Sequence, residues 1–285
     1  MELKAKDQLK TVALPSGERV PALGMGTWKM GENPANRAEE IATLRLGLDL
    51  GVRLVDTAEM YGDGASERLI AEAIGPRRDE FFLVDKVYPH HASRRGAQKA
   101  CEASLRRLGT DRIDLYLLHW RGSVPLAETI AAFCELQQAG KIRYWGVSNL
   151  DLAAMQELWS VPGGEDVATN QLLYNLTRRG IEWDLLPRLR ERRVPIMAYS
   201  PIEQARLIRH PQLADFARRH HLTPSQAALA WLLAQRDVIV LPKTARRAHL
   251  DENVGALEHP LSRSQLAELD KLFPPPAGPQ PLEMI

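Results

Sequence analysis

A (β/α)8 barrel of the TIM type is the fold that this 285-residue chain predicts, and three observations predict it. Short apolar runs recur eight times at a spacing of about 30 residues, the length of a strand plus a helix returning alongside it. The segments between the runs carry helical periodicity. No linker or low-complexity stretch interrupts the series, so eight units in about 250 residues count out one barrel, a single domain over residues 1–285. A doubly wound open sheet, the alternative, usually shows fewer repeats or a second domain.

The elements follow in order. Thr11–Leu14 and Arg19–Ala22 flank Pro15-Ser16-Gly17-Glu18, and the Ser and Gly supply the turn of an N-terminal β-hairpin. The eight runs are Leu23–Thr27, Leu54–Thr57, Phe81–Val84, Ile113–Leu118, Tyr144–Val147, Thr169–Leu172, Pro195–Tyr199 and Val238–Leu241. Their spacing is even except for a wider last interval. Among the helices, Ala38–Leu50 places Ile41, Leu44, Leu48 and Leu50 on one face, with Gly51 available to end it. Thr223-Pro224-Ser225-Gln226 is a capping box with Pro at the first helical position, opening Ala227–Leu233, and Ser262-Arg263-Ser264-Gln265 is a second. The Pro-rich tail from Phe273 to Pro281 cannot be helical, because Pro lacks the N–H and fixes φ. It is either frayed or laid across the barrel as a strap.

Composition narrows the function. The 37 Lys and Arg against 36 Asp and Glu leave a net charge of +1, which gives no global reason to expect nucleic acid or an anionic membrane as partner. The two cysteines, Cys101 and Cys134, make no disulfide framework and fit a reducing compartment, so a cytoplasmic location is expected. Met1–Asp7 alternates charges without an apolar segment, so no leader is expected, and no apolar run reaches the length of a membrane helix.

In a barrel the polar residues at the C-terminal ends of strands are the functional candidates. Asp56 ends the second barrel strand, Lys86 the third and His119 the fourth, and Tyr61 lies five residues beyond Asp56 in the following loop. Adjacent strand ends bring these four together. An ammonium beside a phenol favours phenolate and lowers the phenol's pKa. Asp56 would keep Lys86 charged and in place away from water, and His119 can donate to a carbonyl oxygen. Together they can protonate an oxygen that gains negative charge as a hydride reaches its carbon. Any one of them alone is as readily a buried ion pair or a satisfied core group.

The motifs Gly24-Met25-Gly26-Thr27-Trp28, Asp56-Thr57-Ala58-Glu59-Met60-Tyr61-Gly62, Leu117-Leu118-His119-Trp120, Gly146-Val147-Ser148-Asn149 and Leu241-Pro242-Lys243-Thr244 stand in this order along the chain. With them the sequence resembles the aldo-keto reductase superfamily, NAD(P)H-dependent carbonyl reductases, over nearly its whole length. The likeness is greatest to small bacterial members that reduce 2-oxoaldehydes such as methylglyoxal. The resemblance implies Tyr61 as general acid, helped by Asp56, Lys86 and His119. It implies Ser148, Asn149 and Gln171 on the nicotinamide carboxamide, Tyr199 stacked on the ring, and Ser200, Pro201 and Ile202 along the pyrophosphate. Lys243 and Thr244 would contact the adenosine 2′-phosphate, with Glu252 and Asn253 on the adenine. Gly26, Thr27, Trp28 and Asp56 complete the implied cofactor site, and Trp28, Tyr88, His119 and Trp120 the implied substrate pocket. Where many relatives carry Arg six residues after the Lys243 position this chain has His249, which lacks the fixed charge and fork of Arg. Lys243 remains, with Arg246 and Arg247 close in sequence, so NADPH is the expected cofactor, with NADH as a second choice.

The loop after the fourth strand is short and the tail is brief, which predicts an open pocket for small carbonyls. The expected protein is a monomer whose partner is a small carbonyl compound. A regulatory subunit that senses redox state through a bound cofactor on the same fold is the other reading. A hydrolase using Asp56 and Glu59 as a carboxylate pair would leave Lys86 and Tyr61 unexplained. No metal site is expected, since His90-His91 and His220-His221 lack ligand spacing. Cys101 and Cys134 fall in helical sequence and read as small core residues.

Overall fold

The computed structural model describes residues 10–285; the charged start of the chain lies outside them. β1 (Thr11–Ala13) and β2 (Arg19–Pro21) form the antiparallel hairpin, with Val12 opposite Val20 and the turn made at Gly17, φ 88°. Val12, Leu14 and Val20 are buried in the common core, so the hairpin packs its apolar side onto the barrel.

Eight parallel strands follow: β3 (Met25–Gly26), β4 (Leu54–Asp56), β5 (Phe82–Val87), β6 (Ile113–Leu118), β7 (Ile142–Ser148), β8 (Asn170–Leu173), β9 (Ile196–Tyr199) and β10 (Val238–Leu241). They pair in sequence order from β3 to β10. The ends of the series meet through bridges Leu23–Val240 and Gly26–Lys243, and Gly26 N–H donates to the Pro242 carbonyl at 2.9 Å. The sheet is thereby closed, with no exposed edge. Because the strands are covered on both faces, β4, β5, β6, β8 and β10 are buried along their whole length, including polar residues such as Asp56, Lys86 and Gln171.

Around the sheet lie α1 (Arg37–Asp49), α2 (Ala65–Ile74), α3 (Arg94–Leu108), α4 (Leu126–Gln138), α5 (Leu152–Ser160), α6 (Leu185–Glu191), α7 (Pro211–Arg219), α8 (Pro224–Ala234), α9 (Arg247–Gly255) and α10 (Arg263–Leu272). The wide last interval holds two helices, α7 and α8, which accounts for its length. Both expected capping boxes are present, at Thr223 and Ser262. At Gly47 a Cβ would stand 2.1 Å from Met25 Sδ, so glycine there is what lets α1 close onto β3. No helix among the described residues is long and apolar enough to cross a membrane.

The tail settles as a strap. Phe273 is buried, and its carbonyl accepts from Arg179 Nη1 at 2.6 Å. Leu282 packs on the core, and Met284 and Ile285 reach the mouth of the barrel at the C-terminal ends of the strands. Brief as it is, the tail reaches that mouth, where Met284 and Ile285 stay about half exposed. Extended Pro-rich chain covers more distance per residue than helix, so twelve residues beyond Phe273 suffice to reach it.

Candidate active site

The C-terminal strand ends open into a cavity of about 760 Å³. Beneath its floor Lys86, fully buried, uses each of its three ammonium protons. Its Nζ lies 2.8 Å from Asp56 Oδ2, 2.7 Å from the Thr57 carbonyl and 3.3 Å from the Tyr61 hydroxyl. Asp56 Oδ1 accepts from Gln171 Nε2 at 2.8 Å, so both carboxylate oxygens are satisfied. Parallel register puts these groups at one level: Asp56 stands beside Val84 on β5, and Lys86 beside Leu117 on β6. The His119 ring lies edge-on to that of Tyr61, centroids 5.9 Å apart.

The electrostatics decide the protonation states. Burial alone would drive the proton off Lys86, but Asp56 and then Tyr61 outweigh it and raise its pKa, so the ammonium persists. Burial is also the largest influence on Tyr61 and raises its pKa; the Lys86 charge pulls it back only in part. The expectation that the ammonium would leave the phenol below its ordinary value is therefore reversed. Asp56 neutralises much of Lys86, and the phenol keeps its proton at neutral pH. Burial, with Lys86 adding to it, drops His119 to about 2, so its imidazole is neutral.

That depression has a measurable consequence. An unfolded chain binds a proton at His119 near its model value of 6.5 while the folded protein refuses it until about 2. The folded state therefore loses stability as pH falls between those values, by at most about 1.4 kcal/mol per pH unit. Urea melts of the wild type between pH 7 and 5 are expected to show this slope, and His119→Asn to remove part of it.

Next to the four lies a hydrogen-bonded polar patch. Asn149, whose φ of 58° is left-handed, donates through Nδ2 to the His119 carbonyl at 3.2 Å and to Ser148 Oγ at 3.1 Å. Its Oδ1 accepts from the Tyr199 hydroxyl at 3.0 Å, and burial holds that phenol up to about 12. The opposite end of the lining carries Lys243 and His249. Lys243 is pushed down first by burial, and the cations Arg246 and Lys29 push it further, against Glu40 and Glu32. The Lys243 charge is poorly solvated at this end, and an anion seated beside it would compensate for that burial.

Gly26, Thr27, Trp28, Asp56, Tyr61, His119, Trp120, Ser148, Asn149, Gln171, Tyr199, Ser200, Pro201, Ile202, Lys243 and His249 all line the cavity. Five expected residues do not, Lys86 among them because it is wholly buried beneath the lining. Tyr88 stands behind Trp120, edge-on with ring centroids 6.0 Å apart, because its segment turns away into a 3-10 turn with His90 and His91. Thr244 is buried and receives a bond from Asn253 Nδ2 at 3.0 Å, so this pair fixes the start of the region after β10; Glu252 is outside the lining too. Glu59 accepts from Tyr88 N–H at 2.7 Å and lies 3.1 Å from His91 Nδ1, engaged with partners other than those of Asp56. The hydrolytic pair is thereby excluded. Burial raises both thiols, Cys101 to about 12, as fits packing residues. No group of three metal-binding side chains occurs among the described residues.

Seven lining residues escaped the sequence reading: Lys29, Met60, Gln204, Ala205, Leu241, Met284 and Ile285. Met60 and Leu241 stand inside quoted motifs and Lys29 adjoins one, so these three were within reach. Gln204 and Ala205 owe their place to left-handed backbone without glycine, and the last two to the course of the tail. Neither leaves a local signal.

The family description "Aldo/keto reductase family" matches residues 22–273. The chain belongs to this family. It is 49% identical over 283 residues to methylglyoxal reductase YeaE of Escherichia coli K12, covering 98% of this chain and 100% of that protein. An aldo-keto reductase of Mycobacterium sp. strain KMS is 32% identical over 270 residues, 92% of each chain. The crystal structure of an aldo/keto reductase from Klebsiella pneumoniae, in complex with NADP and acetate, superposes with a TM-score of 0.94. It is 48% identical and covers 98% of this chain and 100% of its own.

Proposed function

We propose that this protein reduces small aldehydes and ketones, 2-oxoaldehydes such as methylglyoxal among them, to alcohols with NADPH. The carrying observation is Lys86 Nζ placed between Asp56 and the Tyr61 hydroxyl on the floor of the cavity. The E. coli relative named as a methylglyoxal reductase and the NADP complex of the Klebsiella relative support the substrate class and cofactor. The donor set fits the dinucleotide: an aromatic face on Tyr199, amide and hydroxyl groups on Ser148, Asn149 and Gln171, and the half-buried ammonium of Lys243 at the far end. Ser200, Pro201 and Ile202 would run along the pyrophosphate. Bound there, the cofactor supplies the hydride.

The side chains do the rest. Tyr61, protonated because it is buried, donates to the carbonyl oxygen as that oxygen becomes basic. An alkoxide is a stronger base than a phenolate, so a raised phenol pKa is no obstacle. Lys86 then faces a new phenolate 3.3 Å away and stabilises it. Asp56 holds the ammonium in place. Neutral His119 offers an N–H to the same oxygen without adding charge. Trp28 and Trp120 line the site beside these groups.

We also infer one catalytic domain over residues 1–285, acting as a monomer in the cytoplasm with neither nucleic acid nor membrane as partner; the near-zero net charge supports this. The test is NADPH oxidation with a panel of aldehydes and ketones of increasing size. Turnover is expected to be greatest with the small dicarbonyls, and no turnover with any of the panel rejects the proposal. His249 lines the cavity together with Lys243 and brings less charge than Arg would. His249→Arg is therefore expected to raise the NADPH-to-NADH ratio of kcat/KM by about tenfold, one charge-assisted contact. An unchanged ratio removes this position from cofactor choice.

A further inference from the structure

The chain end and the loop after β9 meet at one guanidinium. Arg178, in the turn after β8, donates through Nε and Nη2 to Glu203 Oε1 at 3.0 and 2.7 Å, and through Nη1 to the Glu283 carboxylate. Glu203 is buried, and its other oxygen accepts from Asn175 Nδ2 at 2.8 Å; Arg206 adds a bond at 3.0 Å. Burial would raise the Glu203 carboxyl, but Arg178 and Asn175 prevail and hold it below the usual range, so it stays a carboxylate.

What Glu203 holds is strained. Ser200, Glu203, Gln204 and Ala205 take left-handed φ values of 48°, 51°, 51° and 69°, and none is glycine. Such backbone persists only where its surroundings over-determine it. Asn175 Nδ2 also donates to the Ser200 carbonyl at 3.0 Å, so the same cluster grips both ends of the segment. Gln204 and Ala205 line the cavity, as do Met284 and Ile285 just beyond Glu283. Beneath the tail a separate void of about 340 Å³ borders Gln280, Leu282, Glu283 and Arg178. Leu282 packs on the core and the Ile285 backbone bonds Tyr199, and between these anchors the pair with Arg178 fixes Glu283.

We propose that Arg178 is a positioning residue that couples the two walls of the cavity. Through Glu203 it sets the segment 200–205 on the cofactor side, and through Glu283 it sets Met284 and Ile285 where the carbonyl compound enters. The inference rests on the reductase reading above. It makes cofactor affinity and the carbonyl KM move together when Arg178 is lost, since one side chain serves both.

Three variants separate the parts. Tryptophan fluorescence, with Trp28 in the cavity wall, reads the NADPH Kd without turnover. Steady-state kinetics with methylglyoxal read KM and kcat, and thermal melts confirm the fold. Arg178→Met is expected to raise both the Kd and the KM on the order of tenfold, with kcat little changed. Arg178→Lys keeps a cation that can pair with buried Glu203 but cannot span both carboxylates, so it restores the Kd and leaves the KM raised. Glu283→Gln is expected to raise the KM alone, and it decides the matter if Arg178→Met does not fold. Wild-type Kd and KM in the Arg178 variants overturn the proposal, as does a Glu283→Gln Kd shifted as far as that of Arg178→Met. A wild type that binds no NADPH overturns the reductase reading itself.

Discussion

Tyr61→Phe is expected to lower kcat for methylglyoxal reduction by roughly 10²–10⁴-fold, the contribution of a positioned general acid. NADPH binding is expected to stay within about twofold, because the lost hydroxyl contributes one hydrogen bond at the floor of the cavity. The hydroxyl is the acidic group that Lys86 addresses, at 3.3 Å, while neutral His119 lies beside it. With His119 held near 2, Tyr61 is the acid beside Lys86, while the Tyr199 hydroxyl in the same lining gives its proton to Asn149 Oδ1. The pH profile carries the same claim. Burial raises the Tyr61 pKa, so the acid form persists up to and beyond the ordinary phenol value of about 10. The wild-type kcat is expected to be flat through neutral pH and to fall only in that alkaline range. A bend near pH 6.5 in the wild type, or full activity in Tyr61→Phe, contradicts the assignment.

Lys86→Met carries the largest expected effect on stability. It leaves the Asp56 carboxylate, 4% exposed, without its counter-charge in a buried site. Breaking a buried pair from one side costs about 3–5 kcal/mol, which corresponds to a fall in Tm of roughly 6–20 °C for a chain of this size. Urea or thermal melts measure it. The pair Lys86→Met with Asp56→Leu removes both charges and is expected to recover much of the stability while remaining inactive, which separates folding from chemistry. The sign with pH follows from the raised Lys86 pKa. Its stabilisation is fully present below the unfolded value of about 10.5 and is lost as pH rises through the higher folded one. A melting temperature unchanged in Lys86→Met would mean that Asp56 has found another partner.

The period of the sequence was enough to place Asp56, Lys86 and His119, because a strand end is defined by where an apolar run stops. Tyr61 followed from its distance to Asp56. What lay beyond reach was set by long-range contacts. The course of the tail depends on Arg178 and Arg179 meeting Glu283 and Phe273, some hundred residues away. The wall at Gln204 and Ala205 depends on left-handed backbone held by Glu203, where no glycine marks the turn. Tyr88 was assigned by position, yet Glu59 takes its backbone N–H and leaves its ring behind Trp120. The protonation of Tyr61 turned on the balance of burial against one ammonium, which no spacing of residues reveals.

The most direct measurement uses NADPH carrying deuterium in the hydride-donating position, incubated with methylglyoxal and the wild-type protein. The expected product carries one deuterium on the newly formed alcohol carbon, with one cofactor consumed per alcohol formed. Cofactor that remains reduced, or an alcohol without deuterium at that carbon, contradicts the account.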